Sequence, residues 1–196
     1  MMAVAGCGGS ATRRATPPIP AGPGGGALAA AVGQMRAAHS FAFTADVRTG
    51  SRTVNLVGEF SAPSSVHETI TAGGAAPAEI VLVDSTAYRK TATGTWVAGA
   101  QPSTASAGDP RAPFDALLHA ENLVVSGADT TFEINGDAAR TLAGAKSTRV
   151  TGTVTIAAGA ITRLDYASDD PQHTTVHLGY SAIGSAPPVT APPTTP

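Results

Sequence analysis

The chain has 196 residues, with 12 Lys and Arg against 14 Asp and Glu, a formal charge of −2 and a single cysteine. Charged residues make up only 13%, well below the ordinary ~25% of soluble domains. The length fits one domain with tails. The lack of a basic surplus argues against a nucleic-acid partner, and one cysteine excludes an internal disulfide framework or a multi-cysteine zinc site.

Residues 1–26 are dominated by Gly, Pro, Ser and Thr and read as a flexible tether, because such a segment cannot bury enough apolar surface to offset its chain entropy. The far end, residues 184–196 ("GSAPPVTAPPTTP"), reads as an extended, disordered Pro/Thr-rich tail. A folded domain is expected over residues 27–183. It opens with Leu28, Ala31, Val32, Met35 and His39 at helical spacing. The period then switches to two. Phe41, Phe43, Ala45 and Val47 share one face of a strand, and after a "TGSR" turn Val54, Leu56 and Phe60 continue the pattern. A third strand alternates Val66, Glu68 and Ile70 against His67 and Thr69. "AEIVLVDSTAYRKTATGTWVAG" reads as two or three further strands, with Tyr88 and Trp96 as a cross-strand pair.

A Pro/Gly/Ser-rich connector leads to "FDALLHAENL", expected to be helical, then to a short "TTFEING" strand and a helical turn closed by Gly144. Three strands finish the domain, and the first turns Val150, Val154 and Ile156 to one side. The connections are too short for helical crossovers, so the strands are antiparallel. The expected class is α+β: one strongly curved antiparallel sheet, a half-barrel, with short helices over its concave apolar face.

No stretch of 18 or more apolar residues predicts a membrane-spanning helix. The lone cysteine has its own explanation. "VAGC", ending at Cys7, matches a bacterial lipobox: an aliphatic residue, two small residues, then the cysteine that receives diacylglycerol. Acyl chains contribute ~0.8 kcal/mol per buried CH₂, so two or three of them anchor stably. Only six residues precede Cys7, too few for the charged start and apolar core of a signal peptide. The expected true start therefore lies further upstream.

Chemistry-bearing motifs are otherwise weak. His173 and His177 stand four apart, but in a strand that distance is ~13 Å, too long to share one ion. "GYSAIG" has Ile183 where a nucleophile elbow needs glycine. Asp169 and Asp170 read as a turn-forming pair. The expectation is a protein that is not an enzyme and has no cofactor or metal. The functional feature is then the apolar sheet face, with Phe41, Phe43, Leu56, Phe60, Ile70, Leu82, Leu118, Val150, Val154 and Ile156 as the candidate cavity lining. The competing reading of the same face is a filled core in an envelope interaction module that docks a partner protein or wall polymer.

The order of these features, with the phrases "AHSFAFTADV", "VGEFSAP", "EIVLVDSTAYRKTATGTWV" and "PFDALLHAENL", resembles the LppX/LprA/LprF/LprG-type lipoproteins of mycobacteria and their actinobacterial relatives. The resemblance covers roughly residues 28–183. It implies a half-barrel similar to the carriers LolA and LolB, an acylated lipid or glycolipid ligand held in the hollow, and help in moving it toward the outer envelope. It also implies a protein on the extracytoplasmic face of the cell membrane, anchored through lipid on Cys7, monomeric, with an envelope transporter as candidate partner.

Overall fold

The computed structural model of the chain describes residue 20, residues 22–100 and residues 110–194. Cys7, most of the expected tether and most of the connector before residue 110 lie outside the described residues.

The first element is helix α1, Gly25–Ala37, which buries Leu28, Ala31, Val32 and Met35. The helical spacing extends to His39, but the helix stops two residues earlier because Ala38 is already extended, at φ −62 and ψ 130. Strands β1 (Ser40–Thr49), β2 (Arg52–Ser61) and β3 (Ser65–Ala72) follow, and then β4 (Ala78–Val83), β5 (Thr86–Lys90) and β6 (Trp96–Ala100). Each pairs antiparallel with the next. The "TGSR" segment makes the β1–β2 turn, with Gly50 at φ 59, a left-handed value that glycine adopts without strain. The expected Tyr88–Trp96 pair is two residues out of register: Trp96 faces Lys90, whose Nζ stands 5.5 Å from the ring centre, and Tyr88 faces Ala98.

Helix α2 is Ala112–Leu117 and is shorter than the sequence pattern predicts. Glu121–Ser126, at the end of the expected helix, is instead strand β7, paired with β8 (Asp129–Asn135). Val124 and Val125 are β-branched and Gly127 follows at φ 64, so the segment favours a strand and a turn over a further helical turn. Helix α3 (Gly136–Ala143) ends at Gly144, and β9 (Arg149–Ala157), β10 (Ala160–Ser168) and β11 (Thr175–Ser181) complete the chain of strands.

The eleven strands of the described residues form one sheet in the order β6-β5-β4-β3-β2-β1-β11-β10-β9-β8-β7. It consists of two meanders, β1–β6 and β7–β11, joined by the single non-sequential pairing of β1 with β11. The sheet is not closed, since β6 and β7 are its two edges. This is the α+β half-barrel expected from the sequence. Twist accumulates from strand to strand and curves so wide a sheet, and the three helices sit against its apolar face.

The core is one cluster. Phe41, Phe60, Phe114, Leu28, Met35, Leu117, Ile134, Ile161, Leu164, Val150 and Val154 are all fully buried in it. Phe41 organises one end. Its ring stacks on Phe60 at 4.9 Å between centres and meets Tyr180 and Phe114 edge-on at 5.7 Å and 6.4 Å. Each such side chain contributes about 1.5–3 kcal/mol when fully buried.

The expectation of a disordered tail needs correction for residues 184–194. Gly184 donates to the Ser40 carbonyl, Ala186 is buried, the Val189 amide donates to Ser61 Oγ at 3.0 Å, and Thr194 bridges to Trp96 in parallel. The tail follows the rim of the first meander. Its prolines lack an amide and hold an extended backbone, so hydrogen bonds at single positions are enough to seat it.

Candidate ligand cavity

Cross-strand register places the functional side chains in rows across the concave face. One row runs Ile80, Glu68, Gly58, Phe43, Tyr180, from β4 to β11. The next runs Ile70, Leu56, Ala45, Leu178, Leu164, Val154. A third includes Val54, Val47, Val176, Tyr166 and Gly152. Helix α1 packs on β10, and α3 packs on β8 and β9, so the face of the second meander is covered. Over β1, β2 and β11 the cover is incomplete. A hollow of about 410 Å³ remains there, floored by Phe43, Ala45, Val47, Leu56, Val176, Leu178 and Tyr180. It is walled by Pro110, Ala112 and Pro113 at the start of α2 and by Leu142 and Ala143 at the end of α3. Val47, Leu56, Leu142 and Leu178 are only half-buried.

The ten expected lining residues therefore divide. Phe43 and Leu56 line the hollow. Phe41, Phe60, Val150 and Val154 are fully buried parts of the packed core, and Leu82 is buried with them. Ile156 packs half-buried on the core, and Ile70 is half-buried beside Leu56 on β3. Leu118 faces a second hollow of about 570 Å³ between α2 and α3. That hollow has a mixed lining, with Asp115, His119, Glu121, Asp137 and Thr141 beside Ala116, Ala120 and Ala138. The residues that sequence reasoning leaves out, Val176, Leu178 and Tyr180, carry a legible signal: they alternate along β11.

Two glycines shape the floor. A Cβ at Gly58 would lie 2.7 Å from Phe43 Cζ, and one at Gly152 would lie 2.7 Å from Phe132 Cζ and 2.9 Å from Tyr166 Cβ. Aromatic rings thus lie over backbone that only glycine leaves free.

The hollow has three polar groups of note. Glu68 is 2% exposed although it points into an apolar row. Burial pushes its carboxyl above the ordinary 4.5, because desolvation penalises the charged form. Tyr166 is pushed up to about 12 by burial. Tyr180 is raised further, first by burial and then by the neighbouring Tyr166. The Glu68 Oε1 and Tyr180 Oη atoms have no hydrogen-bond partner.

The other titratable groups work outside the hollow. Glu79 accepts from Lys90 at 2.6 Å and lies 3.0 Å from His67 Nε2, which lowers its carboxyl pKa, chiefly through Lys90. His177 Nδ1 lies 2.8 Å from Asp165. Asp169 and Asp170 build turns. Asp169 accepts from the Thr148 and Arg149 amides at 2.8 Å and 2.9 Å, and Asp170 from the Gln172 amide at 2.7 Å. Side-chain hydrogen bonds, from Thr148 Oγ1 and Ser168 Oγ respectively, are the largest cause that holds both carboxyls at about 2.

No protein-family description and no curated protein matches the chain. Solved structures do. The structure of LprF from Mycobacterium bovis aligns with a TM-score of 0.60 at 14% identity, covering 85% of this chain and 95% of that one. The Mycobacterium tuberculosis lipoprotein LppX aligns at 0.58 and 15% identity, covering 84% and 99%. At these identities the likeness is one of fold, and it spans nearly the whole of both proteins. The chain thus has the LprF/LppX-type half-barrel fold that its sequence resembles.

Proposed function

We propose that this chain is a non-enzymatic lipoprotein on the extracytoplasmic face of the cell membrane. It holds the acyl part of a lipid or glycolipid in the hollow and assists its transport, with Cys7 as the anchor. The observation that carries this reading is the unfilled apolar space over β1, β2 and β11, beside a core that is otherwise packed. Its volume of about 410 Å³ lies in the range of small-molecule sites, ~300–1,000 Å³. The likeness of fold to two mycobacterial proteins, one of them the lipoprotein LppX, supports it.

The test uses protein expressed with a complete upstream leader in an actinobacterial host, followed by organic extraction and mass spectrometry. Wild type is expected to carry lipid. Leu178→Trp, which adds bulk to the hollow, is expected to fold and to carry less. Lipid-free wild type together with an unfolded Leu178→Trp overturns the carrier reading and favours the interaction module with a filled core.

A further inference from the structure

Among the described residues, two buried side-chain atoms lack a hydrogen-bond partner, Glu68 Oε1 and Tyr180 Oη, and both residues line the same hollow. The coincidence has a chemical meaning. A buried polar atom without a partner carries the whole cost of leaving water, and most folds satisfy such atoms internally. Tyr166 and Thr174 also line the hollow, and neither hydrogen-bonds to these two atoms. In their row the neighbours are Ile80, Gly58 and Phe43. Arg89, two strands beyond Glu68 in the same row, is exposed and forms no ion pair with it among the described residues.

We propose that Glu68 and Tyr180 are a polar anchor inside the hollow, which selects acyl-chain ligands carrying an uncharged hydroxyl-bearing head over ligands that lack hydroxyl donors. This rests on the carrier reading and names the chemistry of its ligand. The two residues stand on strands β3 and β11, with β2 and β1 between them. Three strand spacings separate their Cα atoms by about 14 Å, so the two groups approach a bound head from two sides of the hollow. Both groups can donate and accept, provided Glu68 is protonated, and its burial favours that form. A lipid ammonium would instead require an ionised carboxylate in an apolar space, where the desolvation of both charges opposes binding.

Titration calorimetry on the full chain, below the micelle concentration of each probe, tests the inference. The probes are monolauroylglycerol, its dimethyl ether (same chain, no donor) and dodecylammonium. Wild type is expected to bind monolauroylglycerol about tenfold or more tighter than the ether, because a site built to hydrogen-bond a hydroxyl rejects the analogue without it. In Glu68→Leu and in Tyr180→Phe the ratio falls to within about twofold. Glu68→Gln, which still donates and accepts, keeps most of the selectivity. It carries the test together with Tyr180→Phe if Glu68→Leu does not fold.

Equal binding of glycerol and ether forms by wild type overturns the anchor and leaves the carrier reading standing. Failure of wild type to bind any probe removes the carrier reading and the anchor with it. Dodecylammonium binding tighter than monolauroylglycerol, and lost in Glu68→Gln, overturns the uncharged head in favour of a cationic one.

Discussion

Phe43 and Gly58 are cross-strand partners, and the Phe43 ring occupies the space a side chain on residue 58 would need. A Cβ at that position would meet the ring at 2.7 Å and the His67 carbonyl oxygen at 2.5 Å. The ring could swing away only into the hollow, and the carbonyl belongs to the sheet ladder. Gly58→Ala is therefore predicted to cost about 1–3 kcal/mol, as overpacking does, and to reduce lipid carriage. Urea denaturation checks the first part, and unchanged stability would show that the floor is softer than its geometry implies.

Glu68 makes stability depend on pH. Its carboxyl pKa is raised by burial above the ordinary 4.5. Relative to the unfolded chain, its contribution is fully present below that ordinary value and is lost as pH rises through the folded one. Glu68→Gln cannot ionise. The variant is predicted to gain in stability relative to wild type over the range from the ordinary 4.5 up to neutral pH. Parallel melting curves across that range would contradict this.

Packed and lining positions should respond differently to truncation. Phe41 is fully buried among four aromatic rings, so Phe41→Ala is predicted to cost about 3–5 kcal/mol. Leu178 lines the hollow and is half-buried. Leu178→Ala loses fewer neighbours and is predicted to fall below the ~2 kcal/mol lower limit of packed Leu→Ala changes. Similar costs for the two, read by equilibrium denaturation, would mean that the hollow is filled in solution.

Asp169 secures the turn between β10 and β11 to the start of β9, through the Thr148 and Arg149 amides. Its carboxyl is held at about 2, below the ordinary 3.8. That contribution is present above 3.8 and is lost as pH falls through about 2. Asp169→Asn is predicted to melt earlier near neutral pH and to lose part of the acid-induced drop in melting temperature. An acid profile identical to wild type rules this out. Asp170, which is also held at about 2, and Glu79, whose carboxyl Lys90 lowers, contribute to the part that remains.

Cys7 is predicted to be acylated when the chain is expressed behind a bacterial lipoprotein leader. Cys7→Ala should lose incorporation of an acyl-chain probe and move to the soluble fraction, because anchoring depends on two or more chains at ~0.8 kcal/mol per CH₂. Equal labelling of both proteins would end the assignment.

By itself the sequence determined the class of fold and most of its strands. In β1, β2 and β3 the alternation of Phe41, Phe43 and Ala45, of Leu56 and Phe60, and of Val66, Glu68 and Ile70 is a local pattern with one cause. A sheet with a single apolar face must alternate. The same pattern places Glu68 between Val66 and Ile70 on one strand face, so this half of the proposed anchor stands out as a polar misfit in the sequence. The strand β7 is less legible, because Leu123, Val124 and Val125 follow a helix directly and a short apolar run fits either element. Only the tertiary structure decided which apolar side chains are core and which are lining. Val154 and Leu178 belong to one row and have the same alternation. What separates them is that α1 and α3 pack on β8, β9 and β10, while over β1, β2 and β11 the cover is incomplete. That cover depends on the pairing of β1 with β11, which joins residues more than a hundred positions apart. No local periodicity encodes such a contact, because it forms only when the two meanders meet.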